Sequence, residues 1–397
     1  MPKARLKKTI ARRIANGHPF IYENEINRIT GSPRKGEIID VFTFSDQFIG
    51  RGYYNPDSKI VIRLLTRQFE RIDADFIKEK LHRAVDYRKP FFGPGEPKRL
   101  FNSTADGVSG IKIDDLGELC VISSTTAGAD RLIPYFVEGL KELGFKKILE
   151  KSIQSTRRLE GIEPVVKEWE GTIPKAFAVE INGLKYHLES FADKTPLFNL
   201  ENRVNARETA RFLRANFSNK PIRVLDAFCG NGRFGLNILK ETEAAVGFLD
   251  RDPAEIEQAQ TNCRINGFDG QRFISANAFD YLRRLDEERE RYDCIILDPP
   301  TLSDSRRKKG KALTAYKEIN LRALKVLREG GILASACCSH TISAEEFEMM
   351  FYSIASDLNL YLTIVKKGGQ TPDFPIIANI FETDFLKFYI IRKGTAI

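Results

Sequence analysis

No apolar run in the 397-residue chain approaches the roughly 20 residues needed to cross a bilayer. The N-terminus, Met1-Pro2-Lys3-Ala4-Arg5-Leu6-Lys7-Lys8, is basic, but no apolar stretch with a small-residue cleavage site follows it, so no secretory signal is expected. The 6 cysteines have no Cys-x-x-Cys spacing and no histidines at metal-ligand spacing. This argues against a structural zinc and for reduced thiols. Together these absences predict a cytoplasmic protein with no membrane anchor and no bound metal. What is present is ample material for cores, 42% hydrophobic residues, in a length that suits two or three domains. The net charge of +8 mildly favours contact with nucleic acid.

The most informative segment is Val224-Leu225-Asp226-Ala227-Phe228-Cys229-Gly230-Asn231-Gly232-Arg233-Phe234-Gly235. Ile222 to Leu225 reads as a buried parallel strand. It ends at an acid, passes through a glycine-rich turn and enters an amphipathic helix with Phe234, Leu236, Ile238 and Leu239 on its apolar face. The glycines let backbone approach a ligand, and the helix N-terminus offers free N–H groups. Gly230-x-Gly232-x-x-Gly235 also matches the dinucleotide fingerprint, so spacing alone leaves the nucleotide-like cofactor open. Val246 to Leu249 reads as the next strand and stops at Asp250, an acid suited to a ribose diol in NAD or in S-adenosylmethionine.

Tyr292-Asp293-Cys294-Ile295-Ile296-Leu297-Asp298-Pro299-Pro300 separates those two cofactors. The prolines cannot continue a sheet ladder, so the chain leaves the sheet at its carboxyl edge, where doubly wound sheets bind ligands. A dehydrogenase does not need Asp-Pro-Pro there, whereas class I methyltransferases use Asp/Asn-Pro-Pro to hold the base being methylated. The plain alternative for Asp298 is a turn former.

Short β-rich runs at 37–43, 48–53 and 59–65 predict a small β domain up to about Arg67, beside basic Arg5, Lys7, Lys8, Arg12 and Arg13. A helix over about 73–88 carries Phe76, Ile77, Leu81 and Ala84 at helical spacing. A Pro/Gly-rich break at 90–97 precedes two strands flanking Asp115-Leu116-Gly117, a helix over about 131–143 and a strand at 147–153. Asn182-Gly183 marks a type I′ hairpin within 177–188, and alternating strands and helices follow to the end.

In order along the chain stand Gly17-His18-Pro19-Phe20-Ile21, Gly50-Arg51-Gly52-Tyr53-Tyr54-Asn55-Pro56, Ala105-Asp106-Gly107, Gly110-Ile111-Lys112-Ile113-Asp114, Arg158-Leu159-Glu160-Gly161, the Asp226–Phe234 turn, Asp298-Pro299-Pro300, Tyr316-Lys317-Glu318-Ile319-Asn320 and Cys338-Ser339. Each is weak alone, but the ordered set resembles the PUA-domain-containing class I S-adenosylmethionine-dependent 23S rRNA (cytosine-C5)-methyltransferase family. The resemblance implies an α/β chain with three parts: a PUA-like RNA-binding β-barrel at 1–70, a middle α+β domain at 71–176 and a Rossmann-like methyltransferase domain at 177–397. It implies that S-adenosylmethionine lies against Phe198, Asp226, Phe228, Gly230, Gly232, Asp250, Arg251, Asn277, Ala278 and Asp298. For the RNA substrate it implies Pro299, Pro300, Arg306, Arg307, Lys308, Tyr316, Lys317 and Asn320. The partner is 23S ribosomal RNA; a homodimer stays open.

Cytosine C5 is a poor nucleophile, and covalent attack of a thiolate on C6 activates it. Ile332-Leu333-Ala334-Ser335-Ala336-Cys337-Cys338-Ser339-His340 ends an apolar strand in two cysteines. The family's nucleophile maps to Cys338, with Cys337 turned to the core by strand alternation; the alternative is two buried small hydrophobes. Asp298 would polarise the ring, and the target base must be unstacked to reach it. Arg306-Arg307-Lys308 lies in a basic loop just past Asp-Pro-Pro, suited to phosphates. The chain departs from the family at several points. The run Lys194–Arg203 is shortened, Asn277 stands for an adenine-contacting acid, Thr301 follows Asp-Pro-Pro in place of lysine, and Asp373-Phe374-Pro375 replaces Asp-His-Pro. Two other readings remain, a guanine-nitrogen RNA methyltransferase and a non-catalytic RNA-binding or ribosome-assembly protein. A dehydrogenase is more distant.

Overall fold

A computed structural model describes residues 1–191, 197–217, 220–302 and 308–396. The chain divides into two compact units. The first comprises 1–177, 188–200 and 372–383; the second comprises 178–187, 201–371 and 384–397.

The first unit opens with a six-stranded sheet in the order β2-β6-β5-β4-β1-β3. Its strands are β1 (Lys3–Leu6), β2 (Phe20–Tyr22), β3 (Ile26–Thr30), β4 (Ile38–Phe42), β5 (Phe48–Tyr54) and β6 (Ile60–Thr66), with the short helix α1 (Arg12–Ala15) between β1 and β2. The expected strands are β4, β5 and β6. The basic N-terminal stretch, read as a charge cluster, is itself a strand, because Ala4 and Leu6 alternate into the core while Lys3 and Arg5 face outward. Helix α2 (Ala74–Arg88) starts where expected, with the Asp73 carboxylate accepting from the Phe76 N–H at 3.2 Å as its N-cap.

A five-stranded sheet follows, ordered β11-β10-β9-β8-β7. It comprises β7 (Lys98–Asn102), β8 (Ile111–Asp115), β9 (Cys120–Ser124), β10 (Ile148–Ser152) and β11 (Val165–Glu170), with α3 (Ala127–Glu142) after β9. β7 and β11 add an edge strand on either side of the expected strand–strand–helix–strand unit. The two sheets of this unit are clasped by Glu160 of the Arg-Leu-Glu-Gly motif. Its buried carboxylate accepts from Arg63 at 2.8 Å and from Asn55 at 2.8 Å. Asp373 also works here: it accepts from the Arg99 N–H at 2.7 Å, and Phe374 lies 4.8 Å from the Arg99 guanidinium.

The hairpin of β12 (Ala176–Ile181) and β13 (Leu184–Glu189), of which 178–187 belong to the second unit, turns at Asn182 (φ 57°) and Gly183 (φ 67°), as the type I′ expectation requires. Then come α4 (Arg203–Asn216), β14 (Ile222–Ala227), α5 (Arg233–Glu241), β15 (Ala244–Asp250), α6 (Pro253–Ile265), β16 (Arg272–Ser275), α7 (Ala278–Glu287), β17 (Tyr292–Leu297), α8 (Lys309–Val326), β18 (Leu327–Cys338), α9 (Ala344–Leu358), β19 (Leu360–Gly369) and β20 (Leu386–Ala396). The sheet order is β16-β15-β14-β17-β18-β20-β19, with β20 antiparallel to both neighbours and the first five strands parallel. This is a Rossmann-like doubly wound sheet, and its order reverses between β14 and β17, the place where such sheets bind ligands. Helices α7, α8 and α9 share one core with the sheet through Leu282, Ile319 and Phe347.

Gly235 sets how closely α5 lies on this sheet. A Cβ there would sit 2.3 Å from a ring carbon of Phe248 and 3.1 Å from Val246. Gly235→Ala is therefore expected to overpack this contact and cost about 1–3 kcal/mol. A denaturant titration checks this, and a loss within about 0.5 kcal/mol of zero would show that the helix has room to move.

Candidate functional site

Three strands of the second unit end in acids at the same sheet edge: β14 at Asp226-Ala227, β15 at Asp250, and β17 just before Asp298. Each is held differently. The Asp226 carboxylate is fully buried; Oδ2 accepts from the Gly235 N–H at 2.8 Å, and Oδ1 is buried with no hydrogen-bond partner among the described residues. Burial, the main cause, pushes its pKa up to about 7, and the nearby Asp298 and Asp250 charges add to the rise. Asp250 accepts from the Gly230 N–H at 3.0 Å and from the Asp252 N–H at 3.0 Å. Each of its oxygens keeps a further acceptor site for a diol.

Between these acids the chain makes the turn that the sequence pattern predicts. Phe228 (φ 64°), Gly230 (φ 52°) and Gly232 (φ 86°) all lie in the left-handed region, and Gly232 caps α5. Phe228 accepts that conformation with a side chain, a local cost of the kind that collects at ligand-binding turns. Past β15, Arg251 is exposed. Asn277 is exposed and its Oδ1 caps α7, accepting from the Phe279 N–H at 2.9 Å. The oxygen expected to face an adenine amino group is thus already engaged by the helix. Ala278 is buried at the first turn of α7. Phe198 is buried in the first unit.

Asp298 is the best-supported carboxylate at this edge. Arg233 donates to its Oδ2 at 2.8 Å and Asn202 to its Oδ1 at 3.0 Å; Asn205 in turn donates to the Asn202 oxygen at 2.7 Å. Burial raises the Asp298 pKa, while the Arg233 charge and these hydrogen bonds pull it down. Sequence reading missed Arg233: it lies 65 residues from Asp298 and reads as an ordinary first residue of a helix. Pro299 is buried and Pro300 exposed.

β17 pairs in parallel with β18, Leu297 opposite Ser335, so Asp298 and Cys338 both lie past the last paired residues of adjacent strands. Cys337 is fully buried in the core shared by α8 and α9, whereas Cys338 is partly exposed. Burial, first among the causes, pushes the Cys338 thiol up to about 12; the Glu201 and Asp298 charges raise it further and a hydrogen bond with Thr301 opposes them. Thr301 also donates to the Cys338 carbonyl at 2.8 Å. A cation beside this strand end is one the sequence did not flag. Lys387 on β20 donates to the Ser339 carbonyl at 3.0 Å, and its charge lowers the Cys337 pKa.

The α8 residues expected to line the pocket are placed otherwise. Tyr316 and Asn320 are fully buried, one turn apart on the core face, with the Asn320 amide donating to the Tyr316 carbonyl at 2.8 Å. Lys317 turns to α9, 2.6 Å from Asp357 and 2.8 Å from the Ser353 hydroxyl. Periodicity put all three on α8 but could not say that two of its faces are covered. Lys308 is exposed at the start of α8. Arg306, Arg307 and the start of the Lys194–Arg203 run lie outside the described residues. No cluster of three or more metal-ligating side chains occurs among the described residues.

The donor set suits a cationic, ribose-bearing cofactor. Asp250 can take a diol, the glycine turn admits close backbone approach, and Asp226 carries a buried oxygen with its hydrogen-bonding capacity unspent.

Comparison with known proteins agrees with the architecture. A PUA-like domain model matches residues 4–67 and a methyltransferase domain model matches residues 218–370. A solved structure described as a SAM-dependent methyltransferase of Streptococcus mutans superposes with a TM-score of 0.83 at 17% identity, covering 99% of this chain and 100% of that one. A further methyltransferase structure, complexed with SAH, gives the same values. At that identity these two show the fold alone. Ribosomal RNA large subunit methyltransferase I of Shewanella denitrificans is 30% identical over 399 residues, covering 98% of this chain and 99% of the relative. The same-named protein of Pseudoalteromonas atlantica is 30% identical over 392 residues, covering 97% of each. The chain therefore belongs to the ribosomal RNA large subunit methyltransferase I family, a family of S-adenosylmethionine-dependent methyltransferases.

Proposed function

We propose that this chain transfers a methyl group from S-adenosylmethionine to C5 of a cytosine in 23S rRNA, through a covalent bond between Cys338 and C6 of the ring. The observation that carries the reading is the position of Asp298 and Cys338 at the ends of adjacent parallel strands, beside the glycine turn of β14. The names of the full-length relatives supply the rRNA substrate.

Bound S-adenosylmethionine supplies an electrophilic methyl group. The protein's own residues do the rest. Asp226 and Asp250 offer negative charge and diol acceptors. Asp298, fixed in orientation by Arg233 and Asn202, hydrogen-bonds the N3–N4 edge of the flipped cytosine, and its raised pKa lets it share a proton with N3. The Cys338 Sγ, as thiolate, bonds to C6 and the C5=C6 electron pair becomes available at C5. C5 takes the methyl group as its bond to the sulfonium sulfur breaks and the sulfur departs as a neutral thioether; a base then removes the C5 proton, and that electron pair restores the C5=C6 double bond and expels the thiolate. Burial pushes the resting Cys338 thiol up to about 12, so a positive charge brought beside it by the cofactor would favour the thiolate.

Replacing the nucleophile tests the chemistry. Cys338→Ala is expected to lower turnover by at least about 1,000-fold with cofactor affinity unchanged, while Cys337→Ala, a core change, leaves turnover within about tenfold. RNA bearing 5-fluorocytosine should form an adduct that survives denaturing electrophoresis, and Cys338→Ala should not form it. Near-normal turnover in Cys338→Ala would exclude the covalent route.

Asp226 generates a pH dependence. Its folded pKa of about 7 lies above the ordinary value of 3.8, so between those values the folded chain holds more protons than the unfolded one and stability falls as pH rises. A positively charged cofactor favours the ionised form. Affinity for S-adenosylmethionine, measured by calorimetry, should therefore rise by up to roughly tenfold from pH 6 to pH 8. Asp226→Asn should flatten the rise; a profile equally steep in the variant would show that another group governs it.

A further inference from the structure

The β12–β13 hairpin supplies no residue to the strand-end site, yet its backbone is held by side chains of α6. Gln258, Asn262 and Asn266 follow one another at four-residue spacing along this helix and its C-cap. Asn266 accepts from the Lys185 N–H at 2.9 Å and donates to the Lys185 carbonyl at 2.7 Å. Asn262 accepts from the His187 N–H at 2.8 Å, and Gln258 donates to the His187 carbonyl at 2.7 Å. Four helical residues rise about 6 Å and two strand residues about 6.7 Å, so the helix meets alternate residues of the strand in register. At the hairpin tip, Asn182 donates to the side-chain oxygen of Asn237 at 3.0 Å, and Lys240 donates to the Asn182 carbonyl at 2.5 Å. Asn237 and Lys240 belong to α5. The hairpin thus straps together α5 and α6, the helices that follow the strands ending in Asp226 and Asp250.

One member of this ladder reaches further. Asn262 is fully buried, and its side-chain nitrogen donates to the Asn231 carbonyl at 2.9 Å. Asn231 stands between Gly230 and Gly232 in the glycine turn. The same peptide unit is held at its other end, where the Gly232 N–H donates to the Cys229 carbonyl at 2.9 Å. The adjoining Gly230 N–H is the donor to Asp250. Sterics alone do not keep this peptide from rotating, because Gly232, at φ 86°, is equally at ease at negative φ. The turn therefore needs a contact from outside itself, and the Asn262 amide supplies one. Its orientation is fixed by its two partners: exchanging its ends would set the nitrogen against the His187 N–H and the oxygen against the Asn231 carbonyl.

We propose that Asn262 is a positioning residue for the cofactor: it locks the Asn231–Gly232 peptide, keeps the Gly230 N–H aimed at Asp250, and makes the β12–β13 hairpin a brace of the cofactor turn. The inference rests on the placement of S-adenosylmethionine at that turn and adds what holds the turn in its binding form. Without the Asn262 amide, the Asn231 carbonyl and the His187 N–H lose their partner, and the turn gains other conformations. Only the fraction of chains still in the competent form binds cofactor, so the apparent affinity falls by that fraction. The coupling runs both ways: a bound cofactor that fixes the turn also steadies the hydrogen bond between Asn262 and His187.

The test compares Asn262→Ala with Asn266→Ala in the full chain, by melting temperature and by calorimetry with S-adenosylhomocysteine. Both variants remove hairpin hydrogen bonds, and both should melt at a lower temperature. Asn262→Ala should weaken binding about 10- to 100-fold, because the turn it holds is displaced. Asn266→Ala, which touches only the hairpin, should stay within about twofold of the parent. If folded Asn262→Ala binds as the parent does, or if Asn266→Ala loses as much affinity, Asn262 does not position the turn. Hydrogen exchange on the unaltered protein, resolved residue by residue, decides the matter should Asn262→Ala fail to fold. Saturating S-adenosylhomocysteine should slow exchange of the His187 N–H more than that of the Lys185 N–H, whereas a general gain in stability slows both alike. Equal slowing overturns the brace. Asp250→Ala separates this inference from the placement beneath it. If Asp250→Ala loses affinity and Asn262→Ala does not, only the brace is overturned; if both bind as the parent does, the cofactor lies elsewhere.

Discussion

Three carboxylates gathered at one sheet edge constrain the second unit more than any other feature. Asp226, Asp250 and Asp298 all end strands of the same parallel sheet, and the charges of Asp298 and Asp250 add to the raised pKa of Asp226. Burial of several acids is tolerated only when each is hydrogen-bonded or paired. The chain meets this condition in part. Main-chain N–H groups of the turn and of α5 serve Asp250 and Asp226, and Arg233 serves Asp298. The glycine turn serves the same need, since Gly230 donates to Asp250 from a left-handed conformation. The remaining charge, with an unpaired Asp226 oxygen at its centre, is a site preorganised for a cation.

Arg233 links the two halves of the chemistry. It begins the helix that follows the glycine turn and ends on the Asp298 carboxylate, the group proposed to hold the base. A change that moves the turn therefore also moves Asp298. The same coupling sets a limit on substitution: removing Arg233 would leave a buried carboxylate with only an amide partner, which costs more than the ion pair contributes.

Much of this was legible in the sequence because the signals are contiguous. The strand, acid and glycine turn at Asp226–Gly235, the acid at Asp250, and Asp298-Pro299-Pro300 each occupy neighbouring positions, and parallel-sheet topology brings their strand ends together. Hairpin and helix starts at Asn182-Gly183 and Asp73 were legible for the same local reason. What stayed hidden depends on tertiary contacts. The partnership of Arg233 with Asp298, the clasp of Glu160 on Arg63, and the approach of Lys387 to the end of β18 join residues 48 to 97 apart. Tyr316, Lys317 and Asn320 could be placed on a helix, but only α9 and the core decide which faces are covered. β7 and β11 went unread because Lys98-Arg99 and Lys167-Glu168 interrupt the apolar pattern, as is common on edge strands.

The most direct measurement is a methyl-transfer assay on the natural substrate. Purified chain is incubated with tritiated S-adenosylmethionine and 23S rRNA from cells that lack the gene, and the RNA is digested to nucleosides and resolved by chromatography with mass detection. Label appearing in 5-methylcytidine at a single site is the expected result. Label in a methylated guanosine, or no incorporation by a folded chain that binds the cofactor, would contradict cytosine C5 as the target.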